Sequence, residues 1–290
     1  MWHRSPQVAG YFYPEDKNIL KKTIEACFLS EIGPGELPKD IDDNKSYLEL
    51  LGLISPHAGY IYSGPIAAWG YLRLSYAKRP KTIVIAGPNH RGLGPDFAIF
   101  PEGIWATPFG EIPVDNEVSE LLIDKLEFLK PSEIAHRYEH SIEVQLPFLQ
   151  YILHDNFKIV PILISSYDID RLRLLGEAIK DLKSKGILFI ASSDFSHYIS
   201  AEMAKVLDLE AISYILNKKP YDFLKQVIQN RLSICGAGPI TSLLFYVNSL
   251  SADVKLLKYG NSGEVTGDFS EVVAYASISF ERKKKEGDLS

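Results

Sequence analysis

Six short β-rich segments punctuate this chain: LELLGLIS (48–55), TIVIAG (82–87), FKIVPILIS (157–165), ILFIAS (187–192), VKLLKYG (254–260) and VVAYASISF (272–280). Most are nearly continuous apolar runs. A strand with one wet face alternates in polarity, so runs of this kind call for cover on both faces. Helical patterns separate them at about 17–29, 65–77, 115–129, 141–153, 168–184, 201–216, 220–230 and 238–250. Strands alternating with helices predict an α/β fold, a central mostly parallel or mixed sheet covered by helices on both faces. No repeat or low-complexity linker divides the 290 residues, so a single domain over 1–290 is expected, with a polar C-terminal tail at about 282–290. Residues 31–46, rich in Gly, Pro and Asp, are expected to form an exposed excursion, because a buried loop would strand its backbone polar groups.

Charge narrows the partners. A formal net charge of −6 gives no electrostatic reason to expect a nucleic-acid backbone or an anionic membrane. The one basic run, Arg282-Lys283-Lys284-Lys285, is followed by Glu286 and Asp288 and reads as a solvated terminus. No apolar stretch is as long as a membrane span, and the start, MWHRSPQVAGYFYP, lacks a signal-peptide core, so a cytoplasmic location is expected. Two cysteines, Cys27 and Cys235, cannot build a disulfide framework. Cys27 reads as core filler in a helix.

Three of the seven histidines share one context. His57 follows LGLISP, His90 follows TIVIAGPN and His197 follows ILFIASSDFS, each a few residues beyond the carboxyl end of an expected strand. Ligands bind at that edge in open α/β sheets. Taken singly, each histidine is better read as a surface or satisfied structural residue. Neighbouring strands lie about 5 Å apart, however, and three such ends would bring the imidazoles together. Small turn-forming residues accompany them: Ala58 and Gly59, Gly87 and Pro88, Ser192 and Ser193. Neutral imidazoles converging there suit Fe, Zn, Cu or Ni.

Cys235, in RLSICGAGPITSLLF, precedes an apolar helical run. A helix N-terminus favours a thiolate, which makes it a candidate soft metal ligand or nucleophile, while a small buried residue before a Gly-rich turn is the bland alternative. RYEHSIEVQLPFL (137–149) adds Glu139, His140 and Glu143, read either as a capped surface helix or as contacts to a site. Asp194, three residues before His197, is placed to orient a histidine, cap a helix or bind substrate.

The motifs AGYFYP, PHAGYIYSG, GPNH, EHSIEVQLPF, SSDFSH, ICGAGPI, YGNSGEV and VAYASISF run in order over nearly the whole chain, which thereby resembles the Memo family. Members of that family are similar in fold to the LigB-type, class III extradiol dioxygenases. The resemblance implies a LigB-like single domain with a metal pocket in which His57, His90 and Cys235 match the metal positions. It also implies that His197 matches the histidine acting as acid and base in those dioxygenases; Asp194 and His140 are expected to line the site if the chain is such an enzyme. Cys235 stands where the dioxygenases use a carboxylate, which widens the expected metal from Fe(II), the first expectation, to Cu or Zn.

Two functions follow as expectations. One is a metal-dependent redox enzyme or oxygenase, with His57, His90 and Cys235 on Fe(II) and His197 moving a proton for a small aromatic or peptide-borne substrate. Tyr60 and Tyr62 would pack on that substrate or belong to the core. The other is a metal-free peptide- or ligand-binding module on a non-catalytic dioxygenase-like fold. Hydrolysis by a Cys235–His pair is a third chemistry, and a G-x-S-x-G elbow for its serine version is lacking.

Overall fold

The computed structural model describes residues 2–43, 46 and 48–283. A nine-stranded mixed sheet lies at the centre of the described residues. Its strands are β2 (Leu48–Ser55), β3 (Thr82–Pro88), β4 (Phe97–Ile99), β7 (Lys130–Pro131), β8 (Lys158–Ile164), β9 (Ile187–Ser192), β10 (His197–Ile199), β11 (Asp253–Asn261) and β12 (Val272–Lys283). The order is β10-β12-β2-β9-β3-β8-β4-β7, with β11 also on β12. The middle four, β2-β9-β3-β8, are parallel, while β12 and β4 flank them antiparallel. A small second sheet joins β1 (His3–Arg4), β5 (Ile104–Thr107) and β6 (Gly110–Pro113).

The apolar runs of β2, β3, β8 and β9 are buried on both faces, as continuous hydrophobicity requires, whereas β11, paired with β12 at the periphery, is mostly half-exposed. Along β3, Ile83 and Ile85 face a core shared with α1 (Lys17–Leu29), α2 (Tyr60–Ser75) and α5 (Leu146–Leu153), and contribute to it with Ile24, Tyr71 and Leu149. Val84 and Ala86 face the opposite core. That core is built with α6 (Ile169–Asp181), α7 (Ala201–Leu216), α8 (Pro220–Gln229) and α9 (Ala237–Val247), through Leu175, Ile212, Phe223 and Leu243 among others. Three further helices, α3 (Asn116–Lys125), α4 (Glu133–His136) and α10 (Gly263–Thr266), are short. No helix among the described residues is long and apolar enough to cross a membrane.

Several boundaries differ from the sequence reading for identifiable reasons. α2 begins at Tyr60 rather than 65, with Pro65 inside it. Proline there removes one bond to the carbonyl of Ile61, a residue 67% exposed, where water can take its place. The expected helix from 141 starts as a 3₁₀ turn, Glu143–Gln145, and becomes α-helical only around Pro147, a residue suited to a first turn. Arg282, expected in the tail, lies in β12 with its guanidinium on the Glu49 carboxylate, and residues 284–290 of that tail lie outside the described residues. Cys27 is buried, as core filler should be.

α6 and α9 approach closely because Gly176 has no side chain. A Cβ there would lie 2.4 Å from the Ser242 carbonyl oxygen and 2.8 Å from Phe245 Cβ. Gly176→Ala gains about 1 kcal/mol of helix propensity but overpacks a backbone contact, which costs about 1–3 kcal/mol. The variant should therefore be less stable than the parent in a urea titration, opposite in sign to the same change on an exposed helix.

Candidate metal centre

β2, β9 and β3 are neighbours, and their register sets Ser55 beside Ser192 and Ala86 beside Ala191. Their carboxyl ends therefore leave the sheet side by side. Two residues beyond β2 comes His57, two beyond β9 comes Asp194, and two beyond β3 comes His90. The turns are bound to one another: Ser193 N–H donates to the Ser55 carbonyl at 2.9 Å, and His57 N–H to Asp194 Oδ1 at 2.8 Å.

Cys235 arrives from the connection between α8 and α9. Next to it, Gly236 donates its N–H to Ser193 Oγ at 2.9 Å. A Cβ on Gly236 would sit 2.4 Å from Ser193 Cβ and 2.5 Å from the Ser192 carbonyl oxygen, so glycine is what lets this connection reach the end of β9. Cys235 Sγ then lies 3.3 Å from His57 Nε2 and accepts from Asp194 N–H at 3.2 Å.

The ligand-type atoms of His57, His90 and Cys235 all lie within 4.8 Å of one another, and those of His90, Glu139 and His140 form a second such group. The rings of His57 and His90 have centroids 5.2 Å apart, and His140 stacks on His90 at 4.8 Å. Glu139 is 1% exposed, accepting from His90 N–H at 2.7 Å and contacting His90 Nδ1 at 2.9 Å. A carboxylate only accepts, so Nδ1 of His90 carries a proton, and Nε2 is the ring nitrogen left to face a cation.

A family model described as Memo-like protein matches residues 4–279. The chain belongs to the Memo family. It is 44% identical over 285 residues to a MEMO1 family protein of Desulfurococcus amylolyticus, covering 97% of this chain and 99% of the relative. A MEMO1 family protein of Thermotoga neapolitana is 41% identical over 277 residues, covering 94% and 98% respectively. The crystal structure of an uncharacterized protein from Escherichia coli K12 superposes with a TM-score of 0.55 at 14% identity, over 79% of this chain and 99% of the other, a likeness of fold.

Within this Memo-family chain the expected residues are not all disposed alike. His57, His90 and Cys235 come together. His140 packs on His90 and Phe12, whose ring centroid is 4.8 Å from its own. His197, five residues beyond β9, begins strand β10, its N–H on Ser233 Oγ at 2.8 Å and its Nδ1 on the Ser233 carbonyl at 2.9 Å. It belongs to neither convergent group. Asp194 is buried, and its carboxylate is taken up by His57 N–H and by a bond from the Ala58 backbone. Tyr60 is 2% exposed and gives its hydroxyl proton to the Val144 carbonyl, so it is core; Tyr62 is partly exposed. The surface-helix reading of 139–143 fails, because Glu139, Ser141 and Glu143 are buried. Glu143 binds Arg4 NH1 at 2.7 Å, the N–H groups of Gln7 and Val8 at 3.0 Å and Tyr13 OH at 2.7 Å, and so fastens the N-terminal segment that carries Phe12.

Burial shapes the protonation states. It raises the Cys235 thiol well above its ordinary range, against the expectation that a helix end would favour thiolate; the nearby Asp194 adds to the rise. Burial also raises Asp194 to about 6. For Glu139 burial acts upward too, but the His90 hydrogen bond and charge, with backbone donors, outweigh it and hold the group at about 2. His57 is held well below 6.5 by burial and by its histidine neighbours, and is neutral.

Burial likewise lowers His136 and His140 to about 4. A histidine whose folded value is below its unfolded one leaves the unfolded chain binding more protons in between, so stability rises with pH across that window. Urea midpoints measured at pH 7, 5.5 and 4 should fall in that order, and replacing His136 by Gln should flatten the slope.

Proposed function

We propose that this protein is a metal-dependent redox protein in which His57, His90 and Cys235 hold one metal ion, Fe(II) first and Cu or Zn as alternatives. The observation that carries this reading is the convergence of two imidazoles and one sulfur, with the Nδ1 of His90 committed to a buried carboxylate. Partners of this kind orient metal-binding histidines and raise their basicity. Two nitrogens and a sulfur are a borderline-to-soft donor set, suited to first-row transition metals rather than to Mg or Ca.

When bound, iron would supply one-electron chemistry toward O2 and a small aromatic or peptide-borne substrate, the oxygenase-type reaction of the LigB-like dioxygenases. Around it the chain's own groups take separate parts. His197, with Nδ1–H on the Ser233 carbonyl, keeps Nε2 as a proton acceptor at the site margin, the role of a general base. Asp194 acts as a strut that fixes the His57 turn and offers its N–H to the sulfur. His140, neutral near pH 7, lines the site beside His90.

Elemental analysis of protein purified without oxygen or chelator should find one equivalent of iron, copper or zinc, absent from Cys235→Ser. Glu139→Gln should weaken the metal about ten- to a hundredfold while the protein stays folded. Because Cys235 starts as a thiol, titration with Zn(II) near pH 7 should release about one proton per ion from it. Protein that takes up no transition metal on titration would overturn the redox reading and leave a pocket for a peptide or small ligand.

A further inference from the structure

Behind His57 lies a closed chain of buried groups whose protons can be placed one by one. His57 Nδ1 is 2.8 Å from Ser192 Oγ. That oxygen is also 2.8 Å from Gln145 Nε2 and 2.6 Å from the Ser141 carbonyl oxygen. Gln145 Nε2 is in addition 2.9 Å from the Pro56 carbonyl, and its Oε1 is 2.6 Å from Tyr71 OH. Ser192, Gln145 and Tyr71 are each 0% exposed, and they contact one another directly.

Two carbonyl oxygens settle the directions, since neither can donate. The Pro56 carbonyl requires the Gln145 amide nitrogen to face it, which puts Oε1 toward the Tyr71 hydroxyl proton. The Ser141 carbonyl requires the single Ser192 proton. Ser192 Oγ then has only lone pairs left; one accepts from Gln145 Nε2–H, and the other must accept from His57 Nδ1–H. The reverse arrangement, with Ser192 donating to His57, would press two oxygen lone pairs together at 2.6 Å.

We infer that Ser192 and Gln145, backed by Tyr71, are positioning residues that lock His57 as the Nδ1–H tautomer and leave its Nε2 bare, 3.3 Å from Cys235 Sγ. This rests on the metal-binding reading for its purpose, although the tautomer itself follows from the hydrogen bonds alone. The two imidazoles then both carry a proton on Nδ1, held by unlike partners. Glu139 polarises His90 with a full charge, whereas Ser192 holds His57 with a neutral hydroxyl. Without metal, the bare His57 Nε2 faces the Cys235 thiol, whose one proton has this nitrogen and the Asp194 carbonyl, at 3.6 Å, as acceptors.

The test has two arms. Long-range ¹H–¹⁵N correlation spectra of histidine-labelled, metal-free protein should show His57 with a protonated Nδ1 and an unprotonated Nε2; a protonated Nε2 would overturn the inference without reference to any metal. In the second arm, Ser192→Ala and the more distant Tyr71→Phe are titrated with Co(II) alone, alongside thermal unfolding of each metal-free variant. Ser192→Ala should populate both His57 tautomers and weaken Co(II) about ten- to a hundredfold, with Tyr71→Phe weakening it less. Co(II) affinity and tautomer unchanged in Ser192→Ala would sink the positioning role. Wild-type protein that shows the Nδ1–H tautomer yet binds no Co(II) would sink the metal reading and leave the assigned relay standing.

Discussion

The parallel register of β2, β9 and β3 is the constraint on which the rest of the site depends. Because Ser55 sits beside Ser192 and Ala86 beside Ala191, the chain leaves the sheet at three adjacent points on one level. His57, Asp194 and His90 then occur at matching distances beyond those exits. Side chains alternate faces along a strand, so a one-residue slip would turn them over and separate the groups. The double-sided apolar cover of the central strands fixes that register, which makes the hydrophobic core the positioning device for the polar site.

Electrostatics in this buried region is decided by how many donors each group finds. Glu139 and Asp194 are both nearly inaccessible carboxylates, yet they diverge. Glu139 accepts from His90 N–H and His140 N–H, contacts His90 Nδ1 and accepts from Ser141 N–H, and it remains a strong acid. Asp194 has the backbone bonds of His57 and Ala58, and burial raises it to about 6. Hydrogen bonds to the charged form stabilise it; with fewer of them, desolvation prevails. The Cys235 thiol lies at the desolvated end of the same scale, which is why it holds its proton until something displaces it.

A second constraint comes from outside the sheet. The N-terminal segment is tied down by Glu143, where Arg4, Gln7, Val8 and Tyr13 converge on one carboxylate. Arg4 reaches further, to the carbonyls of His136 and Glu139 at 2.7 and 2.5 Å. Residues far apart in sequence thus share one buried ion pair, and through it Phe12 is set against His140. A buried pair of this kind is costly to break from one side only, because the remaining charge has no solvent to turn to.

Much of the fold was legible from periodicity. Helix α1 matches its expected span, 17–29, and the strands at 48–55 and 187–192 are where continuous apolar runs required them. Two- and three-residue strands such as β1, β7 and β10 carry no pattern long enough to read in sequence. The grouping of His57 with His90 was legible because both follow strands of one kind. The place of Glu139, Ser192 and Gln145 was not, since a polar residue in an apolar context looks the same in sequence whether it caps a turn or holds an imidazole. What the sequence by itself determined was the layered α/β architecture and the carboxyl-end location of the candidate site, because both follow from local hydrophobic pattern and from where strands stop. Only the tertiary structure decided which groups touch, and with that the tautomers and protonation states, because those depend on long-range contacts and desolvation that no local stretch of chain contains.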